Sequence, residues 1–298
     1  MPKPIGIALL FFSLLGFSQP KTPFVSHPFE QNIRYNIALK AYQEKGSPST
    51  ATALDSMAYL AYRHTDWDRA IDFYKVLVQK VPENGMYHFR LATAAARKSL
   101  EVARIFSIPY VVQAKKSILN AYEWYPKKVW VLKLLIQLHA EIPALLGGDF
   151  SLALEKVLEL MEIDPLEGRL LQAHLYELKG DKDAAERQYF SVLSELEKAV
   201  LEQRILLSAV SQNLLFELGR AAAENNMALD LGAVALLRYL ETYRFEDIYP
   251  PAWAYYYLSK IYFYNNKREN AAQSITEALR IQPDFEEVLE LKKRLRLE

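Results

Sequence analysis

The chain has 298 residues, 51% of them apolar, and its 36 Lys and Arg are balanced by 36 Asp and Glu. That balance gives no global field toward nucleic acid or an anionic membrane. The absence of cysteine excludes disulfides and thiolate metal sites, and leaves the redox compartment open.

The N-terminus has the form of a secretory leader. Lys3 supplies a minimal positive region, Ile5 to Phe17 is apolar, and Gly16-Phe17-Ser18 puts small residues at the two positions a signal peptidase inspects. The run is shorter than the roughly 20 apolar residues a membrane helix requires. No cysteine follows it, so lipoprotein anchoring is excluded, and no later stretch is long and apolar enough to span a bilayer. The expectation is a signal peptide over 1–18 and a mature chain starting near Gln19, exported to the periplasm or beyond. Residues 19–49 form a lead-in with Pro20, Pro23 and Pro28. They include an N-terminal capping helix from Phe29 to Lys45, stopped by Gly46 and Pro48.

From there to residue 285 the apolar spacing is helical, without sustained strand-like alternation. A first unit runs from Thr52 to Asn84, with Met57, Ala58, Asp66-Trp67-Asp68-Arg69-Ala70, Tyr74, Leu77 and Pro82. Pro82 and Pro126 stand 44 positions apart, and Pro126 and Pro165 stand 39 apart. The first interval reads as a long helix from Met86 to about Phe106, with Pro109 opening the next. The second is lengthened at Ile142-Pro143-Ala144-Leu145-Leu146-Gly147-Gly148-Asp149, where glycines supply positive φ and Asp149 caps the following helix. A further unit starts at Leu166, with Ala173, Tyr176, Gly180-Asp181, Ala185 and Tyr189, and lacks a closing proline. A long helix from Leu196 to Ser211 leads into a degenerate unit running from Asn213 through Leu218-Gly219 to Tyr243. The cleanest unit is Ala252 to Phe285, with Leu258, Ser259, Tyr262, Ala271, Ala278 and Pro283. The remaining residues, 286–298, read as a charged C-terminal capping helix.

The register of small residue, aromatic, Ala, Ala and Pro resembles the tetratricopeptide repeat, whose unit is about 34 residues long. Two helices approach to about 8–10 Å only where small side chains meet, hence Ser259 against Ala271 and Ala278. The resemblance covers residues 50 to 298. It implies an all-α, right-handed superhelical solenoid of five to six helix-turn-helix units, two of them enlarged, closed by the C-terminal helix.

Motifs for chemistry are scarce. The five histidines (His27, His64, His88, His139, His174) lie in separate helices without ligand spacing. Gly147-Gly148-Asp149-Phe150 matches a cyclase signature in letters alone, since it joins two amphipathic helices instead of a strand hairpin. No phosphate loop or nucleophile elbow is present. The reading is therefore no enzyme, no cofactor and no metal.

Charge is uneven along the chain. Between Asn84 and Leu135, Arg90, Arg97, Lys98, Arg104, Lys115, Lys116, Lys127, Lys128 and Lys133 are opposed by Glu101 and Glu123. Between Glu141 and Glu202 acids predominate. Such halves suit a complementary partner or a second copy, so homo-oligomerisation is one expectation.

In the resembled family the second, fifth, ninth, twelfth and thirteenth places of each first helix line the concave groove. The resemblance thus nominates Tyr59, Tyr62, Arg63, Met86, Phe89, Trp253, Tyr256, Lys260 and Phe263 as partner-binding residues, aromatic and Arg side chains being the usual anchors. The implied function is an exported adaptor that binds a protein or peptide in this groove. The alternative is a small-molecule-binding accessory of an envelope transport system.

Overall fold

The computed structural model describes residues 50–243, 247 and 249–296, together with 36, 37, 39–41 and 44. The leader expected over 1–18, and most of the capping helix expected before Gly46, lie outside the described residues.

Helices run as α1 (Ala51–Arg63), α2 (Trp67–Lys80), α3 (Gly85–Glu101), α4 (Arg104–Trp124), α5 (Val129–Glu141), α6 (Phe150–Ile163), α7 (Pro165–Lys179), α8 (Lys182–Leu201), α9 (Gln212–Asn225), α10 (Leu229–Glu241), α11 (Pro251–Tyr264), α12 (Arg268–Ile281) and α13 (Glu286–Leu295). Consecutive helices pair into six antiparallel hairpins, α1–α2 through α11–α12, with α13 closing the end. No strand occurs among the described residues.

The starts are set by local chemistry. Thr50, Asp66, Asn84, Asp149, Asp164, Asp181 and Ser211 each accept a bond from a backbone N–H of the first turn. α11 opens on Pro251 and α7 on Pro165, where the missing N–H costs nothing. Close approach is set by small residues. Ala58, Ala70, Ala92, Ala173, Ser259, Ala271 and Ala278 are fully buried at helix crossings. At Gly219 a Cβ would collide with Leu236 of α10. The core runs along the array as adjoining clusters rather than one centre. Hairpins one and two share Met57, Tyr74, Leu77 and Leu91, while Tyr189, Phe216, Tyr239, Trp253 and Phe285 belong to the cluster of hairpins four to six and the cap.

Three expectations about element boundaries are corrected. The helix expected from Met86 to about Phe106 ends at Glu101, with Val102 extended, and α4 begins at Arg104 with Pro109 inside it. Pro109 lies beyond the first turn and leaves the Ile105 carbonyl without its i+4 donor. The helix expected over Leu196 to Ser211 forms only at its start, as the last turns of α8. α8 reaches Leu201, Gln203 takes a positive φ of 58°, and the chain resumes as a single 3₁₀ turn at Leu207–Ala209. In the 142–149 turn only Gly147 needs positive φ, at 87°. Gly148 is required instead for space, since a Cβ there would overlap the Ile142 carbonyl oxygen.

Candidate functional site: the concave face

The first helices of the hairpins (α1, α3, α5, α7, α9 and α11) carry the groove places in register. Ion pairs and hydrogen bonds between successive hairpins run along this face.

At the N-terminal end Arg90 is the hub. Its guanidinium lies 4.4 Å from the Tyr59 ring centroid and 3.6 Å from Asp55, and it donates to the Tyr74 hydroxyl at 3.2 Å. Arg63 also lies over the Tyr59 ring, 5.3 Å from its centroid. Tyr62 is half-buried, edge-on to Trp67 and Tyr74 at 5.8 and 6.3 Å, and burial pushes its hydroxyl pKa up. Phe89 meets Trp130 of the third hairpin at 4.3 Å, and Met86 is half-buried one turn before it.

Charged side chains fill the middle. Lys133 pairs with Glu167 at 2.6 Å, and burial raises the Glu167 carboxyl in spite of that lysine. His174 and Tyr189 both reach Glu177, at 3.2 and 3.0 Å. Arg220 bridges Glu217 at 2.8 Å and Glu224 at 2.6 Å. Burial alone would raise the Glu217 carboxyl. Arg220, Lys133 and the Tyr249 hydroxyl overcome it together and hold the group at about 2.

Tyr249 comes from the connection between hairpins five and six, stacks on Phe216 at 4.0 Å and donates to Glu217. Its hydroxyl also lies within electrostatic reach of Arg97 on α3. The coil therefore brings the second hairpin opposite the start of the sixth, with charged and phenolic groups between them.

At the C-terminal end the Tyr257 hydroxyl donates to Glu224 at 3.2 Å, and Lys260 lies 5.7 and 5.9 Å from the Tyr256 and Tyr257 rings. Burial lowers the Lys260 pKa. Phe263 is half-buried, with Arg268 at 5.8 Å.

Trp253 does not share this face's accessibility. It is 5% exposed, packed on Phe285 at 4.6 Å and on Tyr256 at 5.5 Å, and its indole N–H is buried without a partner among the described residues. The chain just before α13 covers it, so Trp253 seats the cap.

Matches to solved structures bear on this architecture. A tetratricopeptide repeat protein from Parabacteroides merdae aligns over 88% of this chain and 91% of its own, with 14% identity and a TM-score of 0.52. The chain has the tetratricopeptide-repeat fold. In the APC/C hetero-tetramer Cut9–Hcn1 the aligned chain is 15% identical with a TM-score of 0.50, and 90% of this chain matches 46% of that one. No model of a known protein family matches the sequence, and no curated protein does.

The repeat register reaches residues that the sequence reading did not nominate. With Gly219 as the eighth place of the fifth unit, Arg220 is the ninth and Glu224 the thirteenth. Counting the third unit from Val129 puts Lys133 fifth and Glu141 thirteenth. These were legible once the degenerate units were aligned on their small residues. Tyr249 was not, because it lies in a connection outside the register. Among the described residues no cluster of His, Asp and Glu could hold a metal, and no helix is long and apolar enough to cross a membrane.

Proposed function

We propose that this chain is an exported, non-catalytic scaffold that holds an extended segment of a protein partner along its concave face. The observation that carries the reading is the ladder of Arg90, Lys133, Arg220 and Lys260 interleaved with Glu141, Glu167, Glu177 and Glu224. Aromatic rings flank it at both ends: Tyr59 and Phe89 at one, Tyr256 and Phe263 at the other. An extended peptide offers backbone dipoles and side chains of both signs along its length, which such a ladder can match rung by rung. Tyr59, Tyr62, Arg63, Met86, Phe89, Tyr256, Lys260 and Phe263 are the proposed contacts, with Trp253 supporting them from beneath. Export rests on the Gly16-Phe17-Ser18 leader.

The test is capture from an envelope extract with the full chain, followed by mass spectrometry, repeated with Tyr59→Ala/Arg63→Ala. A specific partner recovered by the native chain and at least about tenfold depleted with the variant supports the groove, as expected for loss of an anchor. Equal recovery by both, with unchanged melting, would place the contact elsewhere. Mass spectrometry of exported material should find the chain beginning near Gln19; an intact Met1 would overturn export by cleavage.

A further inference from the structure

Hairpins two and three place extra residues at the connection from first to second helix, whereas the fourth, where α8 runs on to Leu201, adds its own at the far end. In parallel-stacked hairpins these connections share one edge. Insertions in repeat arrays characteristically project from a single face in this way. The added residues are apolar. Ile105 is 74% exposed and Phe106 67%, at the start of α4, and Leu145 is 96% exposed in the third hairpin's turn. Ile108, Val112 and Leu119 continue the exposed stripe along α4 at helical spacing, while Ala114, Ile118 and Ala121 are buried on its other side. α4 therefore carries apolar side chains on its exposed side as well as on its buried one, and no described element lies over the former. The Leu145 turn leans on α4, where the Lys115 ammonium donates to the Gly147 carbonyl.

Basic groups on this edge, Arg104, Lys115 and Lys116, outnumber the acids Glu101 and Asp149, while Lys98 and Asp68 cancel as a pair. Glu101 accepts from the Trp67 indole at 2.8 Å, Asp68 pairs with Lys98 at 2.7 Å, and Asp149 caps α6. Arg104 and Lys116 are exposed and form no ion pair with a described residue.

We propose that this edge docks on an anionic phospholipid surface. Ile105, Phe106 and Leu145 enter the acyl boundary, and Arg104 and Lys116 meet the phosphates. The shape selects lipid over a rigid protein. A side chain almost fully exposed stands on a convex point, and a rigid partner would need a matching pit for each of two tips from separate hairpins. Acyl chains flow around both. Lys116 lies within the apolar stripe, and its long stem lets the ammonium reach the headgroups.

The natural chain lacks cysteine, so a single introduced thiol reports locally. Local readout matters because the apolar Ile5–Phe17 run can itself enter vesicles. Phe106→Cys, Leu145→Cys and, on the opposite edge between α2 and α3, Glu83→Cys would each carry an environment-sensitive fluorophore. They would be mixed with phosphatidylcholine vesicles with and without phosphatidylglycerol. The tip labels should shift to the blue with the anionic vesicles and return on adding salt, while the Glu83 label stays unchanged. Ile105→Asp in the Leu145→Cys background should weaken that response about tenfold, the order expected for a charge placed at the acyl boundary. Tip labels silent to both vesicles, or a Glu83 label that responds equally, would overturn the proposal. So would a tip response that depends on protein concentration without lipid, which would mark a contact between copies.

Discussion

Hairpins two and six are built from similar materials and present opposite surfaces. Hairpin six, α11–α12, is rich in aromatics whose sequence suggests an open stripe, yet Trp253 lies under Phe285 and seats the cap. Hairpin two, α3–α4, reads as an ordinary long pair, yet its tip leaves Ile105 and Phe106 in solvent. Apolar content is the same signal in both. What differs is whether a following element lies over the residue: α13 and the chain leading to it do so for hairpin six, and nothing among the described residues does so for the tip of hairpin two.

The sharpest test of that contrast is Trp253→Ala. It opens a cavity under the cap and should cost about 3–5 kcal/mol in a urea melt. A loss below about 0.5 kcal/mol, the level of an ordinary surface change, would return Trp253 to the groove.

Next in size is the acid limb of stability. Glu217 is held at about 2, below the ordinary carboxylate value of 4.5, so the unfolded chain binds more protons than the folded one between those values. Its contribution is complete above the unfolded pKa and disappears as pH falls through the folded one, amounting to about 3 kcal/mol in order of magnitude. Glu217→Gln should therefore lower stability at neutral pH and flatten its dependence between pH 4.5 and about 2. An unchanged slope would remove the Arg220–Glu217–Tyr249 network from the set of groups that hold the coil.

Within hairpin six, Ala271 is fully buried at the crossing, and Ala271→Leu should overpack it by about 1–3 kcal/mol. The effect is smaller than at Trp253 because neighbouring side chains can shift. Indifference to this change would mean that the two helices are spaced by something other than small residues. The smallest effect belongs to hairpin two. Phe106→Ala should leave the melt within about 0.5 kcal/mol, the change touching little but water. A loss of several kcal/mol would show that the tip is covered in solution and would erase the contrast between the two hairpins.

Much of the fold is legible without coordinates, and the reason is local. Helix starts follow from side chains such as Asp66, Asp149 and Asp181 bonding the next turn. Hairpin crossings follow from Ala58, Ala70, Ser259 and Ala271, and these constraints repeat at a fixed spacing. The missing proline after the fourth unit is equally legible in hindsight, because without that stop α8 runs on to Leu201. Two kinds of feature were not available locally. One is boundaries that depend on a single backbone bond, such as the break at Val102 and the tolerance of Pro109 inside α4. The other is everything that arises where the coil returns on itself. Tyr249 meets Glu217, and comes within reach of Arg97 far earlier in the chain, because superhelical winding places them together. The sequence by itself determined the helices, their pairing and the repeat register, since those rest on neighbours within one unit. Only the tertiary structure decided which aromatics are covered and which charges share the interior, because burial is set by elements that sequence spacing does not connect.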